Sequence, residues 1–374
     1  DLVRANLSET NEQALQELAR HYEVDLDRSR NQIFDLVPKV IDRLKTVNGE
    51  IDFTDMIWLP VVLDLPCKTY DLLMVDEAQD LNRCQQALVK KSGKRLVLCG
   101  DPKQAIYGFA GADAESMKRM HFELKYDVPS QDCTILPLTV TRRCGKAIVR
   151  EANKIVAEFS AFETNPEGTI EEAFYTNKDK NGNEVKGRVT YHSFVKAGDM
   201  ILCRVNAPLV SQCFKFLKEG RKATIRGRDI GQGLISTITK LKVDNMTDLH
   251  AKLSDWLNKE VSAEQAKQLP NEGKIINLQD RYECLLCFAE GANNPLEVIK
   301  KIEAVFVDTK DQTGIQLSSI HKAKGLEAKR VFLLRPENAG CPHPMAKSAW
   351  QIEQEYNLLY VAVTRAIEYL CYVG

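Results

Sequence analysis

Residues 76–80 read Asp-Glu-Ala-Gln-Asp, and they follow directly on the apolar run "YDLLMV" at 70–75. Carboxylates at the end of a buried strand suit one kind of chemistry. One can hold a magnesium ion on a nucleotide phosphate, and the next can orient a water and take its proton. In open α/β sheets such groups gather beyond the carboxyl ends of the strands, and Asp76 to Asp80 fall at that end of the strand expected over 70–75. The same residues also suit a helix N-terminus, where the dipole alone favours acids. "RLVLCGDPKQAIYGFAGA" at 95–112 repeats the arrangement. It has an apolar strand, Gly100 for a tight turn, Asp101, and Gln104 placed to sense a terminal phosphate. Tyr107 and Phe109, two apart, could stack on the bases of a single strand at about 1–3 kcal/mol per base. Core packing would account for the same pair.

Such residues need a sheet to hold them. Short apolar runs ("YDLLMV", "RLVLC", "DMILCRV", "IQLSSI" and "RVFLL") are separated by helix-like stretches, the pattern of buried parallel strands in α/β units. Residues 1–50 read as helical, with Ser8 as the cap of "SETNEQALQELARHY" and "RNQIFDLVPKVIDRLK" continuing in the same style. Residues 240–313 read as a small helical insertion, and 176–187 as a turn-rich exposed loop. No internal repeat or low-complexity segment is present.

The chain has 374 residues, 44 % apolar and 28 % charged, the balance of two or three globular domains rather than of disorder. No apolar run approaches the roughly 20 residues of a membrane helix. A net charge of −1 excludes a global basic field, so a nucleic-acid partner would be held by a local groove. Eleven scattered cysteines fit a reducing cytosol. Cys284 and Cys287, with Cys341 and His343, could be joined as zinc ligands. "RYECLLCFAEGA" reads instead as an amphipathic helix without a second pair at finger spacing, so core thiols are the expectation. The chain opens on Asp1 rather than Met, which suggests a trimmed or partial chain.

DEAQD followed by GDPKQAIYGFAGA resembles motifs II and III of the UvrD/Rep/PcrA family, the superfamily 1A DNA helicases. Further segments follow that family's order. "LPLTVTRRCGKAIVREAN" at 136–153 resembles motif IV, "ILCRVNAPL" at 201–209 motif IVa, "IQLSSIHKAKGLEAKRVFLL" at 315–334 motif V, and "EYNLLYVAVTRAIEYL" at 355–370 motif VI. "IDFTDMI" at 51–57 matches the short segment before motif II. The resemblance covers residues 51–235 and 315–374, and five ordered motifs make it far more specific than one match.

The resemblance implies an α/β fold of two RecA-like parallel-sheet domains, the first incomplete, with a small helical insertion. Residues 1–55 would be a helical remnant and 56–135 the first domain. Residues 136–239 with 315–374 would form the second domain, and 240–314 the insertion. It implies ATP and magnesium as cofactors, with Asp76 on the metal and Glu77 as the general base. Gln79 and Gln104 would couple the γ-phosphate to the DNA site, Arg143 and Arg365 would reach that phosphate, Glu327 would hold the ribose, and Gly325 would let the backbone approach the nucleotide closely. Single-stranded or tailed duplex DNA would be the partner, stacked on Tyr107 and Phe109 and held along its backbone by Ser318, Ser319 and His321, with Lys322, Lys324 and Lys329 adding charge. The Tyr-x-Phe pair resembles the 3′→5′ branch, and a cytoplasmic enzyme is implied.

Three departures accompany the resemblance. The phosphate cradle G-x-x-x-x-G-K-[ST] is absent from the chain, which suggests a fragment that begins after it. Thr141 and Arg142 replace the Asn-Tyr of motif IV. The insertion is small. The alternative reading is a P-loop-less module that binds single-stranded DNA or a regulator on a helicase scaffold. The retained Glu77, Gln104, Arg143 and Arg365 argue against it.

Overall fold

Apolar residues three and four apart dictate helices in the first part of the chain. The computed structural model describes residues 1–22, 24, 30–46, 49–106, 116–126, 133–156, 159–175, 190–267, 272–307, 313–336, 340–346 and 349–374. The chain divides into an N-terminal unit, residues 1–136, and a C-terminal unit, residues 137–266 with 272–374.

The N-terminal unit begins with α1 (Leu2–Asn6), α2 (Glu12–His21), α3 (Arg30–Leu44) and α4 (Phe53–Val62). The cap of α2 is Asn11, whose Oδ1 accepts the Ala14 amide at 2.8 Å. Ser8, the expected cap, donates to the Glu9 carbonyl instead. A capping side chain must stand immediately before the helix to reach the second or third amide, and this helix starts at Glu12. In α4, Asp52 and Asp55 form a capping box across 2.7 and 3.1 Å bonds. Buried Arg4 binds both carboxylates, so its charge is compensated where an unpaired one would cost several kcal/mol. Ile41, Trp58 and Cys84 centre the core of this unit.

Then come β1 (Leu73–Val75), α5 (Arg83–Ser92), β2 (Leu96–Leu98) and α6 (Ser116–Tyr126). β1 and β2 are parallel, with Leu73 opposite Leu96 and Val75 opposite Leu98. Their expected full burial is not what the structure shows. Met74 is 68 % exposed, Leu72 46 % and Val97 40 %. Alternate residues of a strand point to opposite faces, and both faces are buried only where layers cover both. Among the described residues this sheet has two strands.

The C-terminal unit contains β3 (Val140–Thr141), α7 (Lys146–Ala152), β4 (Ser160–Ala161), β5 (Thr169–Ala173), β6 (Met200–Cys203), α8 (Ala207–Lys218), β7 (Ala223–Arg226) and α9 (Arg228–Leu241). It continues through α10 (Met246–Gln265), α11 (Glu272–Ala289), α12 (Pro295–Val305), β8 (Phe306–Val307), β9 (Ile315–Ser319), β10 (Ala328–Leu334), α13 (Ala349–Val363) and β11 (Ala366–Val373). Among the described residues, seven of these strands form one parallel sheet in the order β5-β11-β10-β6-β9-β7-β8. β6 is buried throughout, as its unbroken apolar run requires. The α/β architecture expected from the sequence is present. No described helix is long and apolar enough to cross a membrane. The loop expected at 176–187 lies outside the described residues.

Helices α10, α11 and α12 are part of the sheet's own core. Leu253, Leu285, Phe288 and Ile302 cluster with Ile201, Ile225, Leu317 and Phe332. Cys284 is buried in that core and Cys287 packs against it. Asp280 of α11 adds a polar tie. Its carboxylate accepts the amides of Asn206 and Ala207 at 2.9 and 2.6 Å, so it caps α8, whose own N-cap residue Asn206 makes no side-chain cap. Asp280→Ala should therefore lower stability by about 1–3 kcal/mol, read as an earlier urea midpoint. An unchanged midpoint would show the cap to be dispensable.

Candidate functional site

The carboxyl end of β1 delivers Asp76 and Glu77 to solvent, where both are exposed. Glu77 has a left-handed backbone, φ 52° and ψ 38°, a conformation that costs a non-glycine residue about 1 kcal/mol or more. Neighbouring bonds hold it there. The Glu77 amide donates to Asp76 Oδ1 at 2.9 Å, and the Gln79 side-chain amide donates to Glu77 Oε2. Gln79 is 1 % exposed, and its Oε1 accepts the Asp101 amide at 3.0 Å. Both ends of this amide are thus engaged inside the unit, and Gln79 braces Glu77 against the turn after β2. Asp101 in turn accepts the Lys103 amide at 2.9 Å and the Gln104 side-chain amide at 2.8 Å.

Gly100 is what lets the two turns approach. A Cβ there would stand 2.4 Å from Gln79 Oε1 and 3.1 Å from the Ala78 nitrogen. Gly100→Ala must push the brace aside, an overpacking worth about 1–3 kcal/mol. Thermal unfolding should show a lower midpoint, and a wild-type midpoint would mean the turn has slack.

Asp76 offers an exposed hard-oxygen donor that suits magnesium, an ion commonly bound through one or two carboxylates plus water and phosphate oxygens. Among the described residues no group of three or more His, Cys, Asp or Glu gathers as a metal cage. Tyr107 and Phe109 lie outside the described residues.

In the C-terminal unit, Arg143, Glu327 and Arg365 come together at the amino edge of β10 and β11. The turn carrying Arg143 is tied to the start of β11 by Gly145 N–H donating to the Ile367 carbonyl at 2.7 Å, and the Ala328 amide donates to the Arg365 carbonyl at 3.0 Å. Arg143 Nε lies 2.6 Å from Glu327 Oε2, with both side chains well exposed. Arg365 differs sharply, being 1 % exposed. Its Nε donates to the Val361 carbonyl and its Nη1 to the Leu326 carbonyl, each at 3.0 Å. Burial, then the charge of Arg143, lowers its pKa. Gly325 has φ 79°, with open space where a Cβ would be, so the left-handed backbone is what asks for glycine there.

The residues expected along a DNA backbone sit at the other edge. Ser318 and Ser319 end β9 and are buried, and the Ser318 hydroxyl donates to the Ser319 carbonyl at 3.0 Å. Burial, then the charge of Arg204, pulls the pKa of His321 down to about 3. It is a neutral imidazole near pH 7, able to hydrogen-bond a phosphate but not to neutralise it. Lys322 pairs with Asp229 at 2.7 Å.

Two features escaped the sequence reading. Arg204, after β6, pairs with buried Glu355 at 2.8 Å, and Glu355 also accepts the His343 amide at 2.9 Å. Glu355 lies on α13, the helix that leads into Arg365, so one helix joins the two edges of the sheet. An arginine in "CRV" and a glutamate in a mostly apolar helix were the available signals. The second feature is Phe53, 88 % exposed at the first turn of α4 beside exposed Ile51 and Met56. Its signal was an apolar run in α4 without a clear polar face.

Comparison with known proteins gives two family matches. A family model described as the UvrD-like helicase C-terminal domain matches residues 113–373. One described as the UvrD/REP helicase N-terminal domain matches residues 2–125. Among curated proteins, the chain is 27 % identical over 319 residues to F-box DNA helicase protein 1 of Schizosaccharomyces pombe, covering 79 % of this chain and 33 % of that protein. It is 24 % identical over 437 residues to the ATP-dependent DNA helicase PcrA of Bacillus subtilis, covering 85 % of this chain and 58 % of that protein. With the ATP-dependent DNA helicase UvrD2 of Mycobacterium tuberculosis H37Rv it shares 25 % over 337 residues, covering 79 % and 46 %. The chain therefore spans between a third and three fifths of the length of these relatives.

Proposed function

The chain belongs to the UvrD-like helicase family, and from that premise we propose that the whole protein is an ATP-dependent helicase or translocase moving 3′→5′ on single-stranded DNA. The observation that carries this reading is the Glu77 constellation. An exposed carboxylate is held in a strained backbone and braced by Gln79 against the Asp101 turn. Strain of this kind persists where surrounding structure over-determines it, as at functional sites.

On this reading Glu77 accepts the proton of the attacking water, and Asp76 holds magnesium. The bound ion supplies charge neutralisation on the phosphates. Gln104, presented by Asp101, senses the terminal phosphate. Arg143, well exposed and paired at the surface with Glu327, is the arginine that swings to the transferring phosphoryl group. Arg365 sets the position of Leu326 and Glu327 and adds fixed positive charge, and Glu327 with the Gly325 turn takes the ribose. DNA is held by Tyr107 and Phe109, with the Ser318, Ser319 and His321 turn at the other sheet edge. We read the family names of the relatives as pointing to DNA as the partner, and the eleven free thiols as supporting a cytoplasmic setting.

The chain carries no G-x-x-x-x-G-K-[ST] sequence although it keeps a base and two arginines. We take it as part of a longer protein whose phosphate loop lies upstream. The deciding experiment is phosphate release by the 374-residue chain and by the whole protein, each with and without oligo(dT). DNA-stimulated turnover in the whole protein alone is the expected result. Turnover in neither, with oligo(dT) still bound, would replace the motor by a single-stranded-DNA-binding module.

A further inference from the structure

All eleven cysteines are free thiols, and seven of them, Cys84, Cys144, Cys203, Cys213, Cys284, Cys341 and Cys371, are buried. Desolvation raises the pKa of each of these seven, and a thiol shielded in apolar surroundings is inert. Cys99 is exposed, while Cys67, Cys133 and Cys287 are partly so. Cys133 stands apart within that group because its Sγ lies 3.3 Å from Nδ1 of His121, on α6. An imidazole nitrogen at that distance can take the thiol proton as the sulfur attacks. Cys133 is partly exposed, and Ile135, Leu136 and Leu138 just downstream are all exposed. The helix that holds the histidine carries Lys118, Arg119, Glu123 and Lys125, and Glu123 is paired to Lys90.

We propose that Cys133 and His121 form a reactive thiol–imidazole pair, a modification site for low-molecular-weight disulfides such as glutathione disulfide. The Cys133 proton passes to His121 Nδ1 while the sulfur attacks one sulfur of the disulfide. The reagent's S–S bond breaks, a protein mixed disulfide forms, and the departing thiolate takes the proton back from the imidazole. Cysteine is oxidised, the leaving sulfur is reduced, and histidine is restored. The adduct would sit in the N-terminal unit, which runs to Leu136. The pair is independent of the nucleotide reading, since it shares no residue with it.

The test follows modification of the native chain with glutathione disulfide, and with neutral 2,2′-dithiodipyridine to remove charge effects, by peptide mass spectrometry. Accessibility alone puts Cys99 first. The pair puts Cys133 first with both reagents, by about tenfold over Cys99 and Cys67, and His121→Gln should remove about that factor at Cys133 only. His121→Asn provides a second variant if the first unfolds. Labelling led by Cys99 or Cys67 would overturn the proposal. So would a Cys133 rate that neither substitution changes.

Discussion

Glu77→Gln is expected to lower DNA-stimulated ATP turnover of the whole protein by about 10³-fold or more, in the range a positioned general base contributes, while leaving oligo(dT) binding intact. The structure explains why this substitution separates chemistry from folding. Gln79 donates its side-chain N–H to Glu77 Oε2, and the Oε1 of a glutamine can accept the same bond. The brace, its link to Asp101 and the left-handed backbone therefore survive. What disappears is an oxygen able to take a proton from water. Phosphate release measured beside fluorescence anisotropy of labelled oligo(dT) makes the comparison. Turnover within tenfold of the parent protein would remove Glu77 from the role of base.

The second large effect separates the two arginines. Arg143→Ala removes a well-exposed pair with Glu327, worth about 0–1 kcal/mol, so the unfolding midpoint should hardly move. Turnover should fall by about 10³-fold, the scale of an arginine acting on a transferring phosphoryl group. Arg365→Ala should lose turnover and stability together. It strips donors from the Val361 and Leu326 carbonyls, at about 1–3 kcal/mol for each group left unsatisfied, and it opens a cavity beneath the turn. Urea unfolding and phosphate release on the same two variants give four numbers. An Arg143→Ala variant that turns over normally would disprove the swinging arginine. An Arg365→Ala variant as stable as the parent would show that its buried bonds matter little.

Much of the C-terminal sheet could be read from residue order. A strand covered on both faces must be apolar without alternation, and "MILC" at 200–203 and "VFLL" at 331–334 are unbroken. The same rule misled at 73–75 and 96–98. Run length reports that a strand is apolar, not how many layers cover it, and here Met74 and Val97 are exposed. The acidic corner was legible because Asp76 and Glu77 are adjacent. The brace was not, since Gln79 meets Asp101 only through the turn geometry that Gly100 allows. Likewise the pairing of Arg143 with Glu327, and of Arg204 with Glu355, joins residues far apart in the chain, and nothing in local spacing announces it. Asn11 and Ser8 are both good caps by residue type. Only the position of the first helical residue chooses between them.

The exposed apolar side chains of β1 and β2 also bear on how this 374-residue chain behaves when concentrated. Exposed Met74 and Val97 in these two short strands, with Leu72 just before the first, leave apolar side chains that another chain could pack on. The residues bounding them are the usual defence against this. Asp71, Asp76 and Glu77 bracket one strand, and Lys94 and Arg95 precede the other. Charges flanking an apolar β segment keep chains from stacking. Asp76 and Glu77 are charges of that kind, so each one neutralised in a variant is expected to leave the chain more prone to associate in solution.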